Sequence, residues 1–167
     1  MSPPSEAWEQ RLAALWRSLD ELDHRTFLDQ IDQLTSELPP GNPVALFEQA
    51  GARDSTGYTD LAVPLYRQAL QLGLDGERRR RAVIQLASSL RALGQVTESV
   101  ALLTAEQAAG SDHLDDAVQA FLALALLDAG RERGAVSAAL VALAPHLPRY
   151  QRSVTRYALA LAEPPSA

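Results

Sequence analysis

The sequence contains no cysteine and no lysine, and only 5% of its 167 residues are aromatic. Without cysteine it can form neither a disulfide nor a thiolate metal site, and it has no cysteine nucleophile. Isoleucine occurs only at Ile31 and Ile84, whereas the apolar residues are mainly alanine and leucine, which favour helices. We therefore expect an all-α fold.

Long apolar runs are also missing. The longest, around residues 117–129, is far shorter than a membrane span, and the first ten residues lack the basic-then-apolar pattern of a signal peptide. We expect a cytoplasmic protein without a membrane partner. The formal net charge of -6 repels nucleic acid phosphate at long range, so nucleic acid is disfavoured as a partner.

The composition is that of a folded protein, with 47% hydrophobic and 22% charged residues. Glycine and proline interrupt the helical periodicity at intervals, leaving segments of helix length. The first two segments carry apolar residues at three- and four-residue steps and predict an opening hairpin. The last segment has Tyr150, Val154, Tyr157 and Leu161 on one predicted face, which suits a capping helix that starts at Pro148.

The middle of the chain repeats itself. Residues 45–57, 82–94 and 118–130 align without a gap, and each ends in a turn glycine, namely Gly57, Gly94 and Gly130. Each first helix has a small residue where two helices cross closely, and a small residue follows five positions after each glycine. These are Ala50, Ala87 and Ala123, then Ala62, Ser99 and Ala135. The three segments begin 37 and then 36 residues apart. A two-helix repeat of about this length indicates a helical solenoid.

This pattern resembles the tetratricopeptide repeat family, and within it a bacterial subgroup. It departs from the family pattern at Gln49, Arg53 and Gln119, which are polar where apolar residues are usual. The resemblance implies a right-handed α-solenoid of antiparallel helix hairpins, with about nine helices in a single domain. The predicted layout is an opening hairpin at 5–38, repeats at about 43–75, 80–110 and 116–147, and a capping helix at 148–162.

The resemblance also implies a concave binding surface, because these repeats commonly place their first helices on the concave side. We predict a partner-binding groove with a basic middle and an apolar floor, suited to a protein or peptide with an acidic group. Its residues are Phe47, Asp54, Arg81, Ile84, Ser88, Arg91, Leu124, Leu127 and Asp128. Packing of the apolar members against a chain terminus, and pairing of the arginines with Glu77 or Asp54, are the alternative.

The run Arg78-Arg79-Arg80-Arg81 is the densest positive feature of the sequence. Four consecutive helical residues point about 100° apart, so these side chains spread around a helix instead of forming one stripe. Nucleic acid binding through this run is therefore a minor hypothesis. Self-association into a homodimer is the stronger alternative to peptide binding.

Catalytic and metal-binding patterns are sparse. His24, His113 and His146 lie far apart, and no phosphate-binding glycine loop or nucleophile elbow occurs. The cluster from Ser111 to Asp116 is interpreted as a helix start, with Ser111 or Asp112 as N-cap. We predict a scaffold protein that is not an enzyme and holds no cofactor or metal.

Overall fold

The computed structural model describes residues 4–162, and within this range the chain forms helices and no strand. Among the described residues, nine α-helices and one short 3-10 helix follow one another. They are α1 (Glu6–Arg17), α2 (His24–Thr35), α3 (Pro43–Ser55), α4 (Thr59–Gln71), α5 (Gly76–Ala92), α6 (Val96–Ala109), α7 (Asp115–Asp128), α8 (Glu132–Leu143), the 3-10 helix Ala144–His146, and α9 (Gln151–Ala162). The predicted all-α fold is confirmed.

The chain divides into two compact units after Ala82. In the first unit α1 packs on α2, α2 on α3, and α3 on α4. Its core joins the opening hairpin to α3, and consists of Trp8, Leu12, Phe27, Ile31, Leu34 and Ala52. The Trp8 indole N–H donates to the carbonyl of Leu34 at 2.9 Å, so the largest core side chain also satisfies its own polar atom.

The second unit starts at Val83, within α5. Here α6 packs on α7, α7 on α8, and α8 on α9. The Ser99 hydroxyl donates to the carbonyl of Ala87 at 2.6 Å and ties α6 to α5. The core is made mainly of alanine and leucine: Ile84, Ala87, Leu103, Val118, Leu122, Ala123, Ala125, Leu126, Ala135 and Ala138.

The three repeat turns share one backbone geometry. Gly57, Gly94 and Gly130 have φ values of 89°, 78° and 69°, a region that side chains disfavour. The N–H of the residue after each glycine donates at 2.8 Å to a carbonyl five residues earlier: Tyr58 to Arg53, Gln95 to Leu90 and Arg131 to Leu126. This is a glycine-dependent helix C-terminus, which explains why glycine recurs with the repeat.

The small residues of the repeat are buried, as close helix crossings require. Those on the first helices are Ala50, Ala87 and Ala123, and those on the second helices are Ala62, Ser99 and Ala135. The sequence periodicity therefore identified the positions at which helices of each hairpin approach closely.

Two helix starts differ from our expectations. Helix α7 begins at Asp115 with Leu114 as N-cap, whereas the Asp112 carboxylate accepts from the Leu114 N–H at 2.7 Å, in the turn before the helix. The N-cap prediction was thus wrong, although Asp115 and Asp116 do lie in the first turn. An aspartate side chain can stabilise either a turn or a helix N-terminus, and the sequence does not distinguish these two roles.

Helix α9 begins at Gln151, because Tyr150 has a left-handed φ of 68° that breaks the helical path. Its buried residue is Ala158, while Tyr150 and Tyr157 are 75% and 61% exposed. Val154 and Leu161 are half-buried. The two tyrosines therefore do not belong to the packing face that we predicted for them.

Candidate protein-binding surface

Three of the predicted groove residues belong to the first unit. The Arg81 guanidinium lies 5.5 Å from the centroid of the Phe47 ring, a cation–π distance, and Arg81 itself is exposed. Phe47 is only 2% exposed and its ring packs 6.2 Å from that of Tyr66. Asp54 is half-buried near the end of α3. Arg81 thus covers Phe47, which offers little apolar surface to a partner.

Helix α1 covers the neighbouring part of α3. A Cβ placed on Gly51 would lie 3.4 Å from the Trp16 ring, so the ring rests directly on the glycine. The Trp16 indole N–H donates to the Glu48 carboxylate at 2.9 Å, and Val44 packs against the opening hairpin. The opening hairpin of the first unit therefore covers this part of α3.

The other predicted residues belong to the second unit. Ile84 is 5% exposed and packs in the core, so it does not form a floor open to solvent. Ser88 is half-buried on the same helix. Arg91 donates to the Asp128 carboxylate at 2.8 Å and so links α5 to α7.

Helix α7 exposes a leucine stripe, which we define as Leu124 and Leu127. Their exposed fractions are 44% and 54%, and Ala120, one turn before Leu124, is also exposed. Asp128 follows at one end, paired with Arg91. The stripe is an apolar strip beside an ion pair, and both lie within one unit.

The four arginines of the basic run have different surroundings. Arg78 forms a forked pair with Glu9, with distances of 2.9 and 2.6 Å, and its Nε donates to Glu48 at 3.0 Å. Burial alone would lower the pKa of Arg78, but its bonds to Glu9 and Glu48 together raise it. Arg80 is only 7% exposed. The run is thus dispersed around α5, as its spacing predicted.

The titratable groups of the candidate surface differ in their surroundings. Burial raises the pKa of the Tyr66 hydroxyl well above its ordinary range, and the charges of Asp54 and Glu48 add to this effect. His146 lies 2.8 Å from Asp116 in an exposed pair. Among residues 4–162, no three histidines or carboxylates are close enough to hold a metal ion.

Sequence reasoning missed two features. The first is the buried carboxylate of Glu48, whose partners Trp16 and Arg78 come from distant parts of the chain. The second is a cleft in the second unit lined by four helices, with Arg131 at its edge. No pattern along the sequence could show either, because each depends on which helices become neighbours.

Three hairpins with the same turn geometry and the same buried small residues characterise a repeat protein, and the sequence profile of one family bears this out. The profile described as tetratrico peptide repeat matches residues 43–161. This chain belongs to the tetratricopeptide repeat family. The match covers the helices from α3 to α8 and all but the last residue of α9.

Solved structures agree with this assignment at the level of fold. Two crystal structures of nearly identical TPR-like repeats, attributed to a kinesin light chain of Podosopora anserina, are similar to this chain. One has a TM-score of 0.70 at 20% identity and covers 96% of this chain and 89% of its own. The other has a TM-score of 0.66 at 18% identity, with 97% of each chain covered.

No curated protein matches the sequence. Tetratricopeptide repeats generally mediate protein–protein interaction and are typically non-enzymatic scaffolds. In the part of the chain that the structure describes, no helix is long and apolar enough to cross a membrane.

Proposed function

We propose that this tetratricopeptide repeat chain is a protein-binding module whose second unit contacts its partner through the leucine stripe. The observation that carries the proposal is the exposure of Leu124 and Leu127, at 44% and 54%. Exposed leucines in adjacent turns, bordered by an ion pair, form an anchor site of the kind that takes the apolar face of a peptide or helix.

The ion pair between Arg91 and Asp128 places charged groups at the edge of the leucine stripe. Arg91 uses Nη1 to bind Asp128, and its side chain is 28% exposed. Its Nε is buried without a hydrogen-bond partner. A partner carboxylate that approached Arg91 would find a guanidinium already held in place, which favours a segment with an acidic group beside its apolar anchor.

Arg81 in the first unit is a separate candidate contact. It is exposed, and the Phe47 ring beneath it restrains its position. We include Arg81 in the proposal as a second contact for an acidic group, with Phe47 supporting it from below. Asp54 and Ser88 complete the set of proposed contact residues.

The stripe is tested by capturing partners from a lysate of the source cells with three proteins. Val136→Glu is the control, because Val136 is an apolar side chain of α8 that is exposed to a similar degree. The wild type and this control should retain the same partners. Leu124→Glu/Leu127→Glu should lose them by about tenfold or more, because buried carboxylates at an apolar contact lack partners. Identical partner sets for all three proteins would overturn the proposal.

Self-association is the second candidate, favoured by the same exposed leucines, since each copy of the chain presents an identical stripe. Light scattering of the same three proteins separates the candidates. A dimer that only the double variant abolishes assigns the stripe to self-association, whereas a monomer at all concentrations removes that function. Nucleic acid binding through Arg78 to Arg81 has less support, because Glu9 and Glu48 already bind Arg78.

The remaining features of the proposal rest on the family resemblance, the composition and the sequence motifs. We propose a cytoplasmic, bacterial scaffold without catalytic activity, whose partner is a protein or peptide rather than a membrane or a nucleic acid.

A further inference from the structure

A cleft of about 280 Å³ lies within the second unit, where side chains of α6, α7, α8 and α9 meet. Its lining includes Leu122, Leu126, Arg131, Gly134 and Leu159. Ligand pockets begin near 300 Å³, so the cleft suits one or two side chains of a larger partner better than a whole cofactor.

The cleft is separate from the leucine stripe. Leu122 and Leu126 each lie two residues from Leu124, which is about 200° around α7. They are 5% and 6% exposed and form the apolar floor of the cleft. Leu127 is about 100° from Leu126, so α7 presents different sides to the cleft and to the stripe.

One wall of the cleft carries a positive charge. Arg131 lines it, and among the described residues no lining side chain is acidic, although the chain as a whole has a net charge of -6. Arg131 is also the N-cap residue of α8, and no side chain caps that helix, although Glu132 in its first turn offsets part of the positive charge there.

Helix α9 contributes Leu159 to the cleft, and this side chain is 55% exposed. Arg152 and Arg156 precede Leu159 at helical spacing and are exposed, but neither lines the cleft. The Arg156 guanidinium lies over the Tyr157 ring, 5.0 Å from its centroid.

We propose that this cleft binds a protein segment that inserts a bulky apolar side chain beside a carboxylate. The leucine floor receives the apolar group, and Arg131 with the start of α8 receives the acidic group. A concave site of this size cannot admit a bilayer or a duplex, which favours a peptide over other anionic partners. The site is independent of the leucine stripe.

Anilinonaphthalene sulfonate, an aromatic anion, is a suitable first probe, with binding followed by its fluorescence. Arg131→Gln should raise its dissociation constant about tenfold, the loss expected for a charge-assisted contact. Leu159→Glu, at an exposed position, should raise it similarly by placing a carboxylate at the rim. The matched control Arg133→Gln removes an exposed arginine of the same helix that does not line the cleft, and should bind as the wild type does.

Amide chemical shifts locate the probe, and circular dichroism confirms that each variant is folded. Perturbations centred on Gly134 and Leu126 support the proposal, whereas perturbations elsewhere overturn it. Equal dissociation constants for the wild type, Arg131→Gln and Leu159→Glu also overturn it, as does an equal loss with Arg133→Gln.

Displacement of the probe then identifies the class of partner. A short peptide of leucine and glutamate should displace it, and the same peptide with glutamine should do so about tenfold less well. Failure of both peptides overturns the proposal, as does displacement by anionic vesicles or single-stranded DNA alone. Capture through the leucine stripe is measured separately, so either site can fail without the other.

Discussion

Glu48 is a buried carboxylate held by donors from two other helices. It is 4% exposed, accepts from the Trp16 indole at 2.9 Å and from Arg78 at 3.0 Å. Arg78 also pairs with Glu9, so α1, α3 and α5 share one network in the first unit. Because a buried charge is costly unless it is bonded, the network holds these helices in one register.

Removing Glu48 should therefore destabilise the protein. We expect Glu48→Ala to lower the free energy of unfolding by about 3 kcal/mol, since Trp16 and Arg78 lose a buried acceptor. Urea unfolding measures the change. The control is Glu37→Ala, which removes the exposed pair with Arg11 and should have only a marginal effect. Equal effects of the two substitutions would contradict this interpretation.

Two residues that depart from the family pattern form hydrogen bonds with α2. Gln49 donates to the Thr35 hydroxyl at 2.9 Å, and Arg53 forms a forked pair with Asp32 at 3.1 and 3.0 Å. Polar residues at these usually apolar positions thus replace apolar packing between α2 and α3 with hydrogen bonds. Their partners precede the repeats, so the repeat pattern did not reveal them.

At the scale of the helix, the repeat was predictable from the sequence. Each turn glycine needs a positive φ and each close crossing needs a small side chain, so both appear at fixed spacing. Helix starts were less predictable. The Asp112 turn and the left-handed Tyr150 moved the starts of α7 and α9. The Asp112 carboxylate binds the Leu114 N–H before α7, and the φ of Tyr150 is not helical.

Pro64 lies inside α4 and is exposed, where it removes one backbone hydrogen bond of the helix. We expect Pro64→Ala to raise the free energy of unfolding by about 1–3 kcal/mol by restoring that bond. Thermal and urea unfolding measure the change. Pro145→Ala is the control, because Pro145 is exposed at the start of the 3-10 helix and should change little. A loss of stability in Pro64→Ala would show that the proline is required by the fold.

At the scale of the whole molecule, acidic residues outnumber basic ones, 21 to 15. Some of these carboxylates are bonded in the folded state. Hydrogen bonds from Thr26 lower the pKa of Asp23, and a hydrogen bond from Arg11 lowers the pKa of Glu37. Both carboxylates lie in the first unit and cap or link its opening helices.

These lowered pKa values predict that the free energy of unfolding decreases in acid. In the unfolded chain the two carboxylates take up protons near their ordinary pKa of about 4, before the folded protein does. Their stabilisation is therefore present above that pH and is lost as the pH falls below it. Because both carboxylates are exposed, Asp23→Asn/Glu37→Gln should show only a slightly shallower decline of the unfolding free energy below about pH 4. A decline as steep as that of the wild type would refute this account.

The candidate surface was only partly predictable. The family resemblance placed Leu124 and Leu127 in one groove, and both are exposed on α7. The resemblance also placed Phe47 and Ile84 in the groove, but these are buried. Periodicity gives the side of a helix on which a residue lies, whereas its exposure depends on what the neighbouring helices contribute.

The sequence by itself determined the all-α fold, the repeat length and the glycine turns, because these depend on local propensity and on spacing along one chain. The tertiary structure decided which charges are paired and where a cleft opens. The partners of Glu48 and the walls around Arg131 come from helices distant in sequence. Such contacts arise only when the helices pack, and they assign different sides of α7 to the leucine stripe and the cleft.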